Sequence, residues 1–157
     1  MEKAKHMRRR GGMAKAAVVA GMLAVLVVLA GCSREPPEQR LRERISTMQA
    51  ALEERNASAF MDGVAEDFAG PGGMDRAALQ QIVRAQVLAN ASIGVTLGPA
   101  EVELQGQRAT VRFSALATGG NRFLPERAQA WEVTSAWRDG DDGWRLYYAD
   151  WKPRGGQ

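Results

Sequence analysis

Apolar positions change period near the middle of the chain. Between Glu38 and Arg55 they recur at Leu41, Ile45, Met48 and Leu52, spacings of four, three and four with charged residues between them. That period places one apolar stripe on a helix and predicts an amphipathic helix over about residues 38–55. Asn56 marks a break and the N-cap of the next helical stretch. Phe60, Val64 and Phe68 then form a second short stripe at helical spacing, ended by Gly70-Pro71-Gly72-Gly73. Asp75 can cap a third helix, whose face carries Leu79, Ile82, Val83 and Val87.

From Ile93 the period falls to two. Ile93, Val95 and Leu97 alternate with small or polar residues until Gly98-Pro99 interrupts. Val102 and Leu104 lead into Gly106-Gln107, and Ala109, Val111, Phe113 and Ala115 come after it. A two-residue turn there opposes Val102 to Val111 and Leu104 to Ala109, so the apolar faces coincide, and Gly at its first position fits a type II′ hairpin. The same register predicts a cross-strand ion pair between Glu101 and Arg112 on the other face. Strands around residues 131–138 and 144–151 flank Asp139-Gly140-Asp141-Asp142-Gly143. Opposing Trp137 to Trp144, Ser135 to Leu146, Val133 to Tyr148 and Trp131 to Asp150 gathers the apolar residues on one face. Three helices followed by about four antiparallel strands predict an α+β domain with the helices on one face of the sheet.

Charge separates the start of the chain from the rest. The 157 residues carry 21 Lys and Arg against 18 Asp and Glu, a formal charge of +3. Six of the basic side chains and only Glu2 among the acids precede residue 32, ahead of or at the edge of an uncharged run from Ala16 to Ala30. A basic head and an apolar stretch of about 7–15 residues is the layout of an export signal. The run is short for a bilayer core about 30 Å thick. Leu29-Ala30-Gly31-Cys32 resembles the lipobox, the processing site of bacterial lipoproteins. The resemblance implies cleavage between Gly31 and Cys32, a diacylglyceryl group on the Cys32 sulfur, and fatty acylation such as palmitate on the new amino group. The alternative is an uncleaved anchor helix with an incidental Cys. Gly11-Gly12 after the arginine cluster fits twin-arginine export poorly, which favours the general route. Ser33 rather than Asp after the Cys points to the outer membrane, periplasmic face, in a Gram-negative cell.

Removing residues 1–31 leaves 15 basic and 17 acidic side chains, a formal charge of −2. The basic balance therefore belongs to the export segment, and nucleic acid is not an expected partner. The chain divides into a signal peptide at 1–31, the lipidated Cys and a short tether at 32–37, a domain at 38–153 and a tail at 154–157. The first helix, Asn56-Ala57-Ser58-Ala59-Phe60, Glu66-Asp67-Phe68, and the ending Ala136-Trp137-Arg138 … Gly143-Trp144-Arg145-Leu146-Tyr147-Tyr148 resemble the nuclear transport factor 2-like (NTF2-like) superfamily, including its SnoaL-like cyclases. That resemblance spans residues 38–152. It implies helices packed on a curved antiparallel sheet in a cone, often with a pocket, and dimerisation through the open sheet face. The superfamily mixes enzymes with non-catalytic domains, so fold alone does not assign a reaction.

The mature chain has no histidine, and its only Cys is Cys32. Ser-His and Cys-His nucleophilic sets are excluded with most zinc sites, and no metal or cofactor is expected. Catalysis would rest on carboxylates, Tyr or Arg. The register above puts Asp150 on the inward face beside Trp131 and near Tyr148. There it is either a desolvated general base in an aromatic pocket or a hydrated strand-end carboxylate. No second inward carboxylate partners it. All four tryptophans lie between residues 131 and 151. They line a ligand pocket or fill the core. Trp151 and Tyr147 are expected on the outer face with Arg138, Arg145, Glu132 and Thr134, a surface for a homodimer or another partner. Gly70-Pro71-Gly72-Gly73 lacks the Lys-Ser/Thr ending of a phosphate loop and reads as a turn.

Three functions stand as expectations. The first is an envelope lipoprotein whose domain binds a small ligand or an envelope protein without catalysis. The second is a carboxylate-based isomerase, cyclase or hydrolase acting on a small apolar substrate. The third is a structural envelope protein acting through self-association.

Overall fold

A computed structural model describes residues 35–121 and 124–154. The expectations for the signal segment and Cys32 lie outside the described residues. In chain order the elements are α1 (Pro37–Glu53), α2 (Ala57–Met61), β1 (Val64–Ala69), a tight turn at Pro71–Gly73, α3 (Arg76–Ala89), β2 (Ser92–Leu97), β3 (Glu101–Gln105), β4 (Arg108–Asn121), β5 (Leu124–Gly140) and β6 (Gly143–Pro153). The six strands form one curved, open, mixed sheet in the order β1-β6-β5-β4-β2, with β3 also paired to β4.

The helices begin and end where local chemistry requires. Pro37 sits at the first turn of α1, where a missing N–H costs nothing, and Glu38 faces the positive end of the helix dipole. At the other end Arg55 takes φ 59°, and the Arg55 and Asn56 N–H groups donate to the carbonyls of Leu52 and Ala51. This is a Schellman closure, with arginine in the left-handed position usually given to glycine. Its guanidinium donates to the Val87 carbonyl at 2.8 and 3.2 Å, which ties α1 to α3. Asn56 Oδ1 accepts from the Ala59 N–H at 3.0 Å, and Asp75 Oδ1 from the Ala78 N–H at 2.8 Å. Both expected caps are in place.

The Phe60–Phe68 stripe is not one helix. The chain leaves α2 after Met61, and Val64–Ala69 forms β1, parallel to β6. Gly63 lies at the break with no room for a Cβ, since one would run into Met48. Its carbonyl accepts from the Leu146 N–H at 2.9 Å, which starts the pairing of β1 with β6. Glycine also weakens a helix by about 1 kcal/mol relative to alanine. This parallel pair makes the expected antiparallel sheet mixed.

The β3–β4 hairpin has the expected register: Glu101 opposes Arg112, Val102 opposes Val111, and Leu104 opposes Ala109. Gly106 takes φ 61° while Gln107 keeps negative φ, in line with a II′ turn. The ion pair differs: Arg112 reaches the diagonal Glu103 at 3.1 Å instead of Glu101. A long side chain spans that diagonal readily. Beyond this hairpin, β2 takes over the same edge of β4, from Leu97 opposite Ala115 to Ser92 opposite Gly120. The free edge of β2 is blunted by α1. Gln49 donates to the Val95 carbonyl at 2.7 Å and Glu53 accepts from the Val95 N–H at 3.2 Å.

The β5–β6 hairpin departs from expectation in two ways. Gly140 opposes Gly143, so the turn is Asp141-Asp142, and Trp137 opposes Leu146 while Asp139 opposes Trp144. A bulge between Ala136 and Trp137 then shifts the register, so that Ala136 opposes Tyr148, Thr134 opposes Asp150 and Val133 opposes Trp151. An extra residue reverses which side each later residue faces. Trp144 and Leu146 are therefore buried before the bulge, Ala149 is buried after it, and Trp151 packs against the core. The expected placement of Trp151 on the outer face is corrected by the same step.

The core lies between the helices and one face of this sheet. Leu41, Met48, Met61, Val64, Phe68, Leu79, Val83, Val111, Trp137 and Trp144 form a continuous buried cluster. Ser135 is the one buried polar side chain among the described residues. It accepts from Trp137 Nε1 at 2.9 Å and donates to the Val111 carbonyl at 3.2 Å, so its burial leaves no unmet hydrogen bond.

Candidate functional site

Asp150, Trp131 and Tyr148 do not share a face. Trp131 opposes Pro153 on β6 and Ala115 on β4, in line with the core-facing residues Val133, Ser135 and Trp137. Tyr148 and Asp150 pair with Ala136 and Thr134 on the outer face. Asp150 is partly exposed, with Lys152 Nζ 3.8 Å away. The register expected from a continuous ladder places it inward; the bulge places it outward. Tyr148 is 42% exposed. The structure thus brings Tyr148 and Asp150 together and separates Trp131 from both.

Three of the four tryptophans, Trp137, Trp144 and Trp151, belong to the core or pack on it. Trp144 is 1% exposed and donates from Nε1 to the Pro37 carbonyl at 3.0 Å. It therefore fastens the start of α1 to the hairpin. Arg40 completes this junction with two bonds to the Asp139 carboxylate, at 3.1 and 2.7 Å. Asp139 can face α1 because it opposes Trp144, a pairing that the expected register did not contain.

The outer face near the same turns is basic and aromatic. Arg108 opposes Arg138, and Arg138 opposes Arg145, so three guanidinium groups sit on neighbouring strands. Arg138 bonds Asp67 at 2.7 Å and stacks over Tyr147, 5.4 Å from the ring centroid, within cation–π range. Its hydrogen bond holds the Asp67 carboxyl below the usual carboxylate range, and Asp67 in turn raises Arg138. Arg145 reaches Asp142 at 3.4 Å and donates to the Asp62 carbonyl at 3.0 Å.

Further along the outer face, an open groove of about 340 Å³ is lined by Pro99, Glu101, Arg112, Phe113, Ser114, Glu132 and Arg154. Arg154 pairs with Glu132 at 3.0 Å, and Arg112 with Glu103 at 3.1 Å. Sequence reasoning did not single out this groove, because it combines Pro99, β3, β4, β5 and Arg154 after β6. Its walls alternate in charge, with Glu101 and Glu132 set among Arg112 and Arg154. Among the described residues, no group of three or more His, Cys, Asp or Glu side chains is placed to hold a metal ion. No described helix is long and apolar enough to cross a membrane.

No family model and no curated protein matches this sequence. Solved structures do match in shape. Bd1075 of Bdellovibrio bacteriovorus aligns with a TM-score of 0.67 at 14% identity, over 76% of this chain and 41% of that one, so the present chain spans less than half of it. A candidate dehydratase of the NTF2-like family from Streptomyces avermitilis aligns at 0.66 and 16% identity, over 75% and 96% of the two chains. An NTF2-like protein with a cystatin-like fold from Novosphingobium aromaticivorans aligns at 0.61 and 23% identity, over 88% and 91%. With helices on one face of a curved, open sheet and these neighbours, the described chain has the fold of the NTF2-like proteins.

Proposed function

We propose that this chain is an envelope lipoprotein, held to the membrane through acylated Cys32, whose NTF2-like domain binds a partner or ligand and does not turn over a substrate. The anchor rests on Leu29-Ala30-Gly31-Cys32 closing the uncharged run that starts at Ala16. The observation that carries the binding half is the bulge in β6. It sends Asp150 to the outer face beside Lys152 and leaves Trp131, Val133, Ala149 and Trp151 on the core side. A general base needs reach to a substrate proton in a site that excludes water, and a partly exposed carboxylate beside an ammonium group is a poor one. The dehydratase-like neighbour shares the fold at 16% identity, which brings no catalytic residue to this chain.

The outer face offers the surfaces for binding: the groove around Arg112 and Arg154, and the half-exposed Tyr148. A small ligand, an envelope protein or a second copy of the chain would meet the domain there. In a Gram-negative cell the site is the periplasmic face of the outer membrane. Five residues from Ser33 to Pro37, at about 3.3–3.6 Å each, give the tether a reach of under about 20 Å. The domain then works close to the bilayer. Cys32→Ser tests the anchor: it is expected to accumulate as an uncleaved precursor without fatty-acid label. Normal labelling of that variant in the membrane fraction would refute it.

A further inference from the structure

We propose that the end of the domain bearing the β3–β4 and β5–β6 turns faces the membrane, and that Arg108, Arg138 and Arg145 engage anionic lipid headgroups there. This builds on the Cys32 anchor and adds an orientation to it. The first support is where the chain enters the fold. Pro37 is tied to this end by Trp144 Nε1, Arg40 holds Asp139, and Arg44 reaches the Asp142 carbonyl at 3.5 Å. Three links from α1 to one hairpin seat the start of the helix at this end of the sheet. A tether of under about 20 Å then keeps this end at headgroup level.

The arginine row is the second support. Like charges directly opposite on neighbouring strands destabilise a sheet. Arg108, Arg138 and Arg145 stand in that relation across β4, β5 and β6. Asp67 and Asp142 offset two of the three, while Arg108 has no ion-pair partner among the described residues. Both pairs lie at the surface, where they contribute little in water and exchange readily. Guanidinium groups bind phosphate oxygens in a planar, two-pronged geometry, and an anionic leaflet attracts basic groups within a Debye length. The other acids at this end are Asp139, held by Arg40 on the α1 side, Asp141, beside Asp142 in the turn, and Asp62, whose carbonyl accepts from Arg145. Within the row, Arg108 is therefore the member left to meet a phosphate.

The orientation has a consequence for binding. Glu132 lies seven residues along β5 from Asp139 and Ala128 eleven, about 23 and 36 Å at roughly 3.3 Å per residue. The Glu132 wall of the groove therefore stands clear of the headgroups, while its Arg112 wall lies about 13 Å along β4 from Arg108.

The test uses the full mature lipoprotein in vesicles of phosphatidylethanolamine and phosphatidylglycerol carrying a headgroup-linked nitroxide quencher. Because acylation occupies the Cys32 sulfur, a fluorophore on Asp141→Cys or Ala128→Cys labels one position only. Quenching at position 141 is expected to exceed that at 128 several-fold. Arg108→Glu, which breaks no described ion pair, should lower the ratio, as should molar salt, which shortens the Debye length from about 10 Å at 0.1 M to about 3 Å. Phosphatidylcholine vesicles should show a lower ratio than the anionic ones. Equal quenching at both positions in floating, vesicle-bound protein would overturn the orientation while leaving the anchor standing. A high ratio indifferent to Arg108→Glu and to salt would overturn the arginine contact. Protein that fails to float would remove the anchor, and the proposal with it.

Discussion

The two faces of the β5–β6 hairpin are built from alternate residues of the same short segments, yet their surroundings differ. Trp137, Trp144 and Leu146 turn inward, nearly free of solvent, and Trp144 and Asp139 fasten α1 through Pro37 and Arg40. Arg138, Arg145 and Tyr147 turn outward, where their partners are other surface groups. Burial makes the first set costly to change; exposure makes the second set inexpensive to the fold. Buried packing and exposed charge are thus separated across one sheet thickness, and a substitution reports on one or the other according to its parity.

Trp144→Ala should show the largest effect, a loss of about 3–5 kcal/mol from the cavity and the broken bond to Pro37. The neighbouring Arg145→Ala should cost about 1 kcal/mol or less. Chemical denaturation of the two variants tests the separation directly; similar losses would break it. Next in size is the Arg40–Asp139 pair, with side chains 25% and 17% exposed. Removing either partner should cost about 1–3 kcal/mol, because it breaks a partly buried, two-pronged charged hydrogen bond. The double variant should lose less than the sum of the singles. An additive cycle would mean that the two-pronged contact does not hold α1 to the hairpin.

The smallest effect belongs to Asp67 on the outer face. Its folded pKa is depressed by the hydrogen bond from Arg138. A depressed carboxylate adds stability that is present above its unfolded pKa, near 3.9, and lost as pH falls through the lower folded value. Thermal melts of Asp67→Asn should therefore trail the parent slightly at neutral pH and converge with it under acid. At 44% and 62% exposure the pair is well screened, and the gap should narrow in high salt. A gap that widens below pH 4 would reverse the sign of this contribution.

The parts of the fold that were legible in the sequence are those governed by one period at a time. Leu41, Ile45, Met48 and Leu52 define α1, Asn56 and Asp75 act as caps, and Val102 to Val111 keep register through an ordinary two-residue turn. The hidden parts lie where the period breaks. At Phe60, Val64 and Phe68 a helical spacing runs across Gly63, yet close contact with Met48 and pairing with β6 turn the second half into a strand. In β6 the inward residues are Trp144, Leu146, Ala149 and Trp151, steps of two, three and two. The step of three is the bulge, and a strict alternation carries Asp150 to the wrong side of it. Asp139 was hidden for the same reason: its role depends on opposing Trp144, which only the true turn at Asp141-Asp142 establishes. The candidate site was therefore less legible than the fold, since one inserted residue inverts a site while leaving the architecture unchanged.

The proposed binding at the outer face, close to a bilayer, rests above all on the proposed anchor, and mass spectrometry of the protein extracted from membranes tests it directly. The expected N-terminal peptide begins at Cys32, with a diacylglyceryl group on sulfur and no trace of residues 1–31. A chain that keeps those residues, or begins elsewhere with Cys32 as a free thiol, would contradict it.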